Sequence, residues 1–142
     1  MIAHIGKLPI VVEGDFGPVI MTVDRSLRGV LRVQITGEGG HADAALRRWR
    51  YNLGLAREAG LRQMLVVLQF SGAMMTEAGF RHVIAGVADL DLADFRVAVV
   101  QTRHERLRQD ELSTMIAIES GISAGVFSDE ATALLWLRHG AR

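Results

Sequence analysis

The chain has 142 residues, 49% of them apolar, and its 16 basic side chains balance its 16 acidic ones. This length and composition suit one domain with a single core, and the balanced charge gives no field that would attract nucleic acid. The absence of cysteine excludes disulfides and thiolate metal sites.

No stretch of the sequence is apolar enough to cross a membrane. The longest apolar runs have about five residues, whereas a spanning helix needs about 20. The N-terminus also lacks a basic start followed by a long apolar block, so we expect no secretory signal. We therefore predict a cytoplasmic protein without a transmembrane segment.

The first 16 residues permit two interpretations. Ile10, Val11 and Val12 follow Pro9, which suits the start of an edge strand. The same segment could instead be a tail that docks on a partner. We therefore treat residues 1–16 as an extension or edge strand, and residues 17–142 as the α/β domain.

Strict alternation of apolar and polar residues predicts a β-hairpin over residues 19–24 and 31–36. One face should pack on the core, and the other face, with Arg32 and Gln34, should be wetter. The glycines of residues 37–40 then end the strand. They match neither a dinucleotide nor a Walker phosphate loop, so a flexible connection is the favoured interpretation.

The period changes to 3.6 over residues 42–59, which predicts a helix with a continuous apolar stripe. Arg47, Arg48, Arg50 and Arg57 lie mostly off that stripe. They should form a solvated outer face, with an acidic partner or phosphate groups as the alternative.

The stretch from Leu65 to Gly79 is the one around which the rest is arranged. Residues 64–70 are almost wholly apolar, which is typical of a parallel strand buried on both faces. Thr76 suits the N-cap of the next helix, and Glu77 suits its first turn. Ser71 lacks the G-x-S-x-G context of a nucleophile elbow and is interpreted as a turn serine.

Strands and helices alternate in the remainder. Residues 95–100 and 124–127 should be strands, and Thr102 and Glu105 have the spacing of a capping box that would open a helix to Glu119. Leu112, Met115 and Ile116 would lie on one side of that helix. The fold class is therefore α/β: a single domain in which a mixed sheet of four or five strands has the order β-β-α-β-α-β-α-β-α.

Element order and three sequence segments resemble the STAS domain, the fold of bacterial anti-sigma-factor antagonists and sulphate-transporter tails. The segments are VVLQFSGA at residues 66–73, MMTEAGF at 74–80 and GVFSDEATALLWL at 125–137. The last is similar to the ending of small bacterial proteins described as STAS-like or lipid-transfer-like. The resemblance spans roughly residues 17–140 and implies a bacterial, STAS-like regulatory domain.

The resemblance also places Ala78 where the family carries its phosphorylatable serine, so it implies that the phosphoswitch is lost. Glu77 supplies a fixed negative charge one residue away, for which partnership with the helix dipole is the simpler interpretation than phosphate mimicry.

We expect the working surface at the tip that follows the central strand, because open α/β sheets bind at the carboxyl ends of their strands. Adjacent methionines there suit an adaptable apolar contact. The predicted surface consists of Ser71, Gly72, Met74, Met75, Thr76, Glu77 and Gly79.

The favoured function is a non-catalytic protein-interaction module, with a protein partner that could be a second copy of the chain. The alternative is a small-molecule or lipid-binding module, which an apolar pocket near Met74 and Phe80 would favour. An enzyme is less expected, because no nucleophile–base pattern is visible. The five histidines and the D-x-D pair of Asp89 and Asp91 have no metal-ligand spacing, so neither a metal nor a cofactor is predicted.

Overall fold

A computed structural model describes residues 9–139. Its strands are β1 (Ile10–Val12), β2 (Val19–Asp24), β3 (Val30–Glu38), β4 (Gln63–Ser71), β5 (Arg96–Gln101) and β6 (Ser123–Phe127). Its helices are α1 (Ala42–Glu58), α2 (Glu77–Gly86), α3 (Leu107–Glu119) and α4 (Glu130–His139), and a 3₁₀ turn, His104–Arg106, leads into α3.

The described residues form one mixed sheet whose six strands are ordered as they occur in the sequence. The predicted count of four or five strands is wrong by the edge strand β1, which pairs antiparallel with β2. The element order therefore gains one strand at its start. The interpretation of Ile10, Val11 and Val12 as an edge strand is confirmed, whereas residues 1–8 of the predicted extension lie outside the described residues.

The topology places three helices on one face of the sheet. The strands from β3 to β6 are parallel, and each crossover moves one strand further along the sheet. Because such crossovers share one hand, α1, α2 and α3 pack side by side on the same face. The last helix, α4, packs on the opposite face against β4, β5 and β6.

The central strand β4 is buried on both faces, as its sequence predicts. Five consecutive residues of this strand, from Met64 to Leu68, are buried. Met64, Val66 and Leu68 face the core under α1–α3, whereas Leu65 and Val67 face α4. This alternation divides the interior into two cores on either side of one strand.

Two predicted helix starts are wrong. Thr102 makes no capping hydrogen bond, and the chain enters α3 through the 3₁₀ turn instead. The start of α4 is capped by Asp129 rather than Ser128, because its Oδ1 accepts a 2.8 Å hydrogen bond from the Thr132 amide. In both segments several polar residues adjoin the helix, and sequence spacing alone does not decide which one caps it.

The buried side of α3 also differs from the prediction. Ile116 is buried as expected, but Met115 is 60% exposed. Asp110 and Thr114 are buried in its place. This helix therefore turns polar side chains towards the sheet, which the next section explains by what they face.

Candidate functional site

An apolar cavity of about 140 Å³ lies between the sheet and the three helices α1, α2 and α3. Side chains of β3, β4 and β5 form its floor, among them Ile35, Leu68, Val97 and Val99. The helices supply its walls, with Trp49 and Leu53 from α1, Phe80 and Val83 from α2, and Ala117 from α3.

The mouth of the cavity lies at the carboxyl ends of the parallel strands, where open α/β sheets bind ligands. The connections after β3 and β4 are packed together there, since the Gly39 amide donates a 3.1 Å hydrogen bond to the Ser71 carbonyl. Gly40 has a φ of +85°, and a Cβ on it would lie 3.0 Å from the Cβ of Ala73. The glycines after β3 therefore permit a close approach of two loops.

The two methionines of the predicted tip line this cavity. Met74 is 39% exposed and Met75 is half-buried, so the pair lies between solvent and the apolar interior. Gly79 is buried beneath them, and a Cβ on it would come within 2.6 Å of Met75 Cγ. The structure thus brings Met74, Met75 and Gly79 together at the mouth.

The other residues of the predicted surface have structural contacts. Thr76 is the N-cap of α2, as predicted, and its Oγ1 accepts a 3.1 Å hydrogen bond from the Gly79 amide. Glu77 forms an ion pair with Arg81 at 2.9 Å on the exposed side of α2. The Ser71 hydroxyl lies 3.4 Å from the Gly37 carbonyl. Neither hydroxyl has a base beside it among these contacts.

A buried polar row of α3 faces the same cavity. Asp110 accepts a 3.0 Å hydrogen bond from Nε2 of Gln101, the last residue of β5. The Arg106 guanidinium donates to the Gly72 carbonyl and thereby ties α3 to the tip loop. Burial raises the pKa of Asp110 to about 6, although the Gln101 hydrogen bond and the Arg106 charge oppose that shift.

Gln109 adds an unpaired polar atom to this row. Its Oε1 is buried and has no hydrogen-bond partner among residues 9–139. Buried polar atoms are rarely left without a partner, so this position suits a polar group of a bound molecule.

The prediction that Arg48 lies on a solvated face is wrong. This side chain is only 4% exposed and lines the cavity. Its Nη1 donates a 2.8 Å hydrogen bond to the Phe16 carbonyl, and its Cζ lies 5.4 Å from the centroid of the Phe70 ring. Burial lowers the pKa of this guanidinium to about 10, with a smaller contribution from the neighbouring Arg47 charge.

The remaining α1 arginines predicted to be solvated bind loops of their own chain. Arg50 pairs with Asp89 at 2.7 Å, and Arg57 donates to the Asp91 carbonyl at 3.2 Å. The hydrogen bond and charge of Arg50 lower the pKa of Asp89. The D-x-D pair is thus part of the packing between α1 and the turn after α2.

Sequence reasoning missed Arg48, Gln101, Arg106 and Asp110 as residues of the site. Arg106, Asp110 and Thr114 recur every fourth residue, which is a helix face, but a polar face normally indicates solvent. The signal that could have identified them is the helix α3 itself, because its apolar Met115 and Ile118 point away from that polar row and are exposed. A helix with two competing faces indicates that the buried one serves a polar purpose.

No protein-family model, curated protein or solved structure matches this chain. Within residues 9–139, no helix combines the length and apolar character needed to span a bilayer. The described part of the chain also brings no three histidine or acidic side chains together in a metal-binding arrangement.

Proposed function

We propose that this protein is a non-catalytic module that binds a small, largely apolar molecule between its sheet and helices. The observation that carries the proposal is the apolar cavity that opens at the carboxyl ends of the parallel strands, with Met74 and Met75 at its mouth. Small-molecule sites are commonly apolar clefts with few polar groups, and this cavity has that composition. The proposal favours the alternative function over the protein-interaction module that the sequence favoured.

Binding is supported over catalysis by the partners of the polar groups. The hydroxyls of Ser113 and Thr114 line the cavity but donate to carbonyls of their own helix, those of Asp110 and Glu111. A nucleophile would need a base within hydrogen-bond reach, and these hydroxyls have none among their contacts. The raised pKa of Asp110 is explained by its burial.

Hexanol is a suitable probe, because a cavity near 140 Å³ is close to the size of an engineered apolar cavity that binds benzene. In an NMR titration, hexanol should shift the amide signals of the cavity lining, including those around Phe80 and Ala117. Ala117→Leu fills the cavity and should abolish these shifts. The matched control Ala85→Leu adds the same side chain at an exposed position of α2 and should leave them unchanged.

Two results would contradict the proposal. One is the absence of any shift in the wild type at millimolar hexanol. The other is an equal response in Ala117→Leu and wild type, because a filled cavity no longer has room for the probe.

The second candidate is the protein-interaction module, and the exposure of Met74 at the tip favours it. With the resemblance to STAS domains, this candidate would be a regulatory module of a bacterial cytosol that lacks the phosphoserine at Ala78. A pull-down that compares wild type with Met74→Asp/Met75→Asp tests it. A partner lost from a folded double variant, together with no hexanol binding by wild type, would favour this candidate over the first.

A further inference from the structure

The charge inside the cavity indicates the chemical class of its ligand. We infer that the ligand carries a carboxylate group, which binds to the Arg48 guanidinium while its hydrocarbon part fills the cavity. This inference rests on the proposed function and deepens it.

The first step is the charge balance of the cavity lining. Only three of its residues are charged, and these are Arg48, Arg106 and Asp110. Arg106 has the charge of Asp110 nearby and donates to the Gly72 carbonyl. The lining therefore carries one positive charge more than it carries negative charges whenever Asp110 is ionised.

The second step is that Arg48 holds this excess charge. Among residues 9–139 it forms no ion pair, whereas its neighbours Arg47 and Arg50 each pair with an aspartate. A guanidinium has five N–H groups, and one of them has an acceptor here, the Phe16 carbonyl. A buried charge without a counterion is unfavourable, and an anion from the ligand would remove that penalty.

The third step is that Phe70 holds the guanidinium in place. With Cζ 5.4 Å from the ring centroid, Arg48 is within cation–π range of an aromatic face. The Phe16 carbonyl fixes Nη1 from the other side of α1's entry loop. The planar fork is thus oriented before a ligand arrives, which lowers the entropy cost of a bidentate contact.

The fourth step separates carboxylates from phosphate esters. A carboxylate brings one negative charge, which matches the single excess positive charge of the lining. A phosphate monoester brings about −1.5 to −2 at neutral pH and would leave negative charge in an apolar cavity. The cavity size further restricts the hydrocarbon part to a short chain or one ring.

The test compares hexanoate, hexanol and hexyl phosphate as probes of the full chain at pH 7.5, with dissociation constants from NMR titration. Hexanoate should bind about tenfold or more tightly than hexanol, because a charge-assisted hydrogen bond exceeds a neutral one. Hexyl phosphate should bind more weakly than hexanoate. Tighter binding of hexyl phosphate would overturn the assignment of a carboxylate.

Variants of Arg48 locate the effect. Arg48→Met should weaken hexanoate by about tenfold or more and leave hexanol unchanged, because only the charged contact is removed. Arg48→Gln also removes the charge but retains a donor for the Phe16 carbonyl, so it serves if the methionine variant does not fold. The matched control Arg47→Met removes the neighbouring arginine, which contacts Asp15 instead of the cavity, and should change neither probe.

Failure of this inference is distinguishable from failure of the proposed function. If hexanol and hexanoate bind equally and Arg48→Gln changes neither, the carboxylate inference is wrong and the apolar binding function stands. If neither probe binds to wild type, both are wrong.

Discussion

Gln101 donates a hydrogen bond of 3.0 Å from Nε2 to Oδ2 of Asp110, and both residues are buried. Gln101 ends β5 and Asp110 lies in the first turn of α3, so this contact joins the edge of the sheet to the helix that covers it. It also places a carboxyl group in the wall of an apolar cavity. Burial there raises the pKa of Asp110 to about 6, above the value of 3.8 for an ordinary aspartate.

The first prediction concerns the pH dependence of stability. Because the native state binds the Asp110 proton more tightly than the unfolded state, this stabilisation is complete below about pH 4 and is lost as the pH rises through about 6. Over that window the free energy of unfolding should fall by about 3 kcal/mol at 1.36 kcal/mol per pKa unit. Asp110→Asn keeps an acceptor for Gln101 and should remove this fall, as measured by urea unfolding at several pH values.

The difference between wild type and Asp110→Asn is the quantity to measure, because other carboxyl groups act in the opposite direction. Their neighbours lower the pKa values of Asp89, Asp129 and Glu130, so these groups gain stabilisation as the pH rises. A difference that stays constant between pH 4 and pH 6.5 would show that Asp110 titrates normally.

The order of elements is the part of the fold that the sequence predicts best. Residues 64–68 are recognisable as a strand buried on both faces because they are uninterrupted by polar residues. The alternation of residues 19–24 and 31–36 likewise identifies the hairpin. The strand β1 was only one of two interpretations, because three residues carry no measurable period.

The polar part of the site is what sequence periodicity could not predict. Arg48 and Asn52 lie one turn apart on α1 and read as part of a solvated face, but that row is covered by the segment around Phe16 and by β2. Burial of this row depends on a loop more than 30 residues away in sequence. Local pattern cannot report such a tertiary contact, so buried arginines are systematically assigned to the surface.

The second prediction tests the helix caps with two threonines. Thr76→Ala should destabilise the protein by about 1 kcal/mol, because the Gly79 amide loses its acceptor. Thr102→Ala should have little effect, because Thr102 makes no capping hydrogen bond. Thermal unfolding of both variants measures the contrast, and equal losses would show that the capping contact of Thr76 is not specific.

The third prediction concerns the contact between Arg106 and the tip loop. Arg106→Met removes the donor to the Gly72 carbonyl and should destabilise the protein by about 2 kcal/mol, typical of a hydrogen bond to a charged group. Hydrogen exchange of the amides of residues 71–75 should accelerate. The pKa of Asp110 should rise further, because the Arg106 charge currently lowers it.

Arg103→Met is the control for that variant. Arg103 is an exposed residue at the start of the same 3₁₀ turn, and the hydrogen bond it makes to Gln101 comes from its backbone amide. Its exchange rates in the tip loop should equal those of the wild type. Acceleration in both variants would attribute the effect to the turn rather than to the Arg106 contact.

The fourth prediction uses the two faces of β4 to separate stability from ligand size. Leu68→Ala enlarges the cavity and should cost about 2–5 kcal/mol of stability, as large-to-small core substitutions do. Leu65→Ala should cost a similar amount, but it lies on the other face, in the core under α4. Only Leu68→Ala should improve the affinity for octanol relative to hexanol, because only that variant lengthens the space available to the chain. NMR titration with both alcohols measures the ratio, and a ratio that shifts equally in the two variants would mean that general loosening of the core, not the cavity, sets the preference.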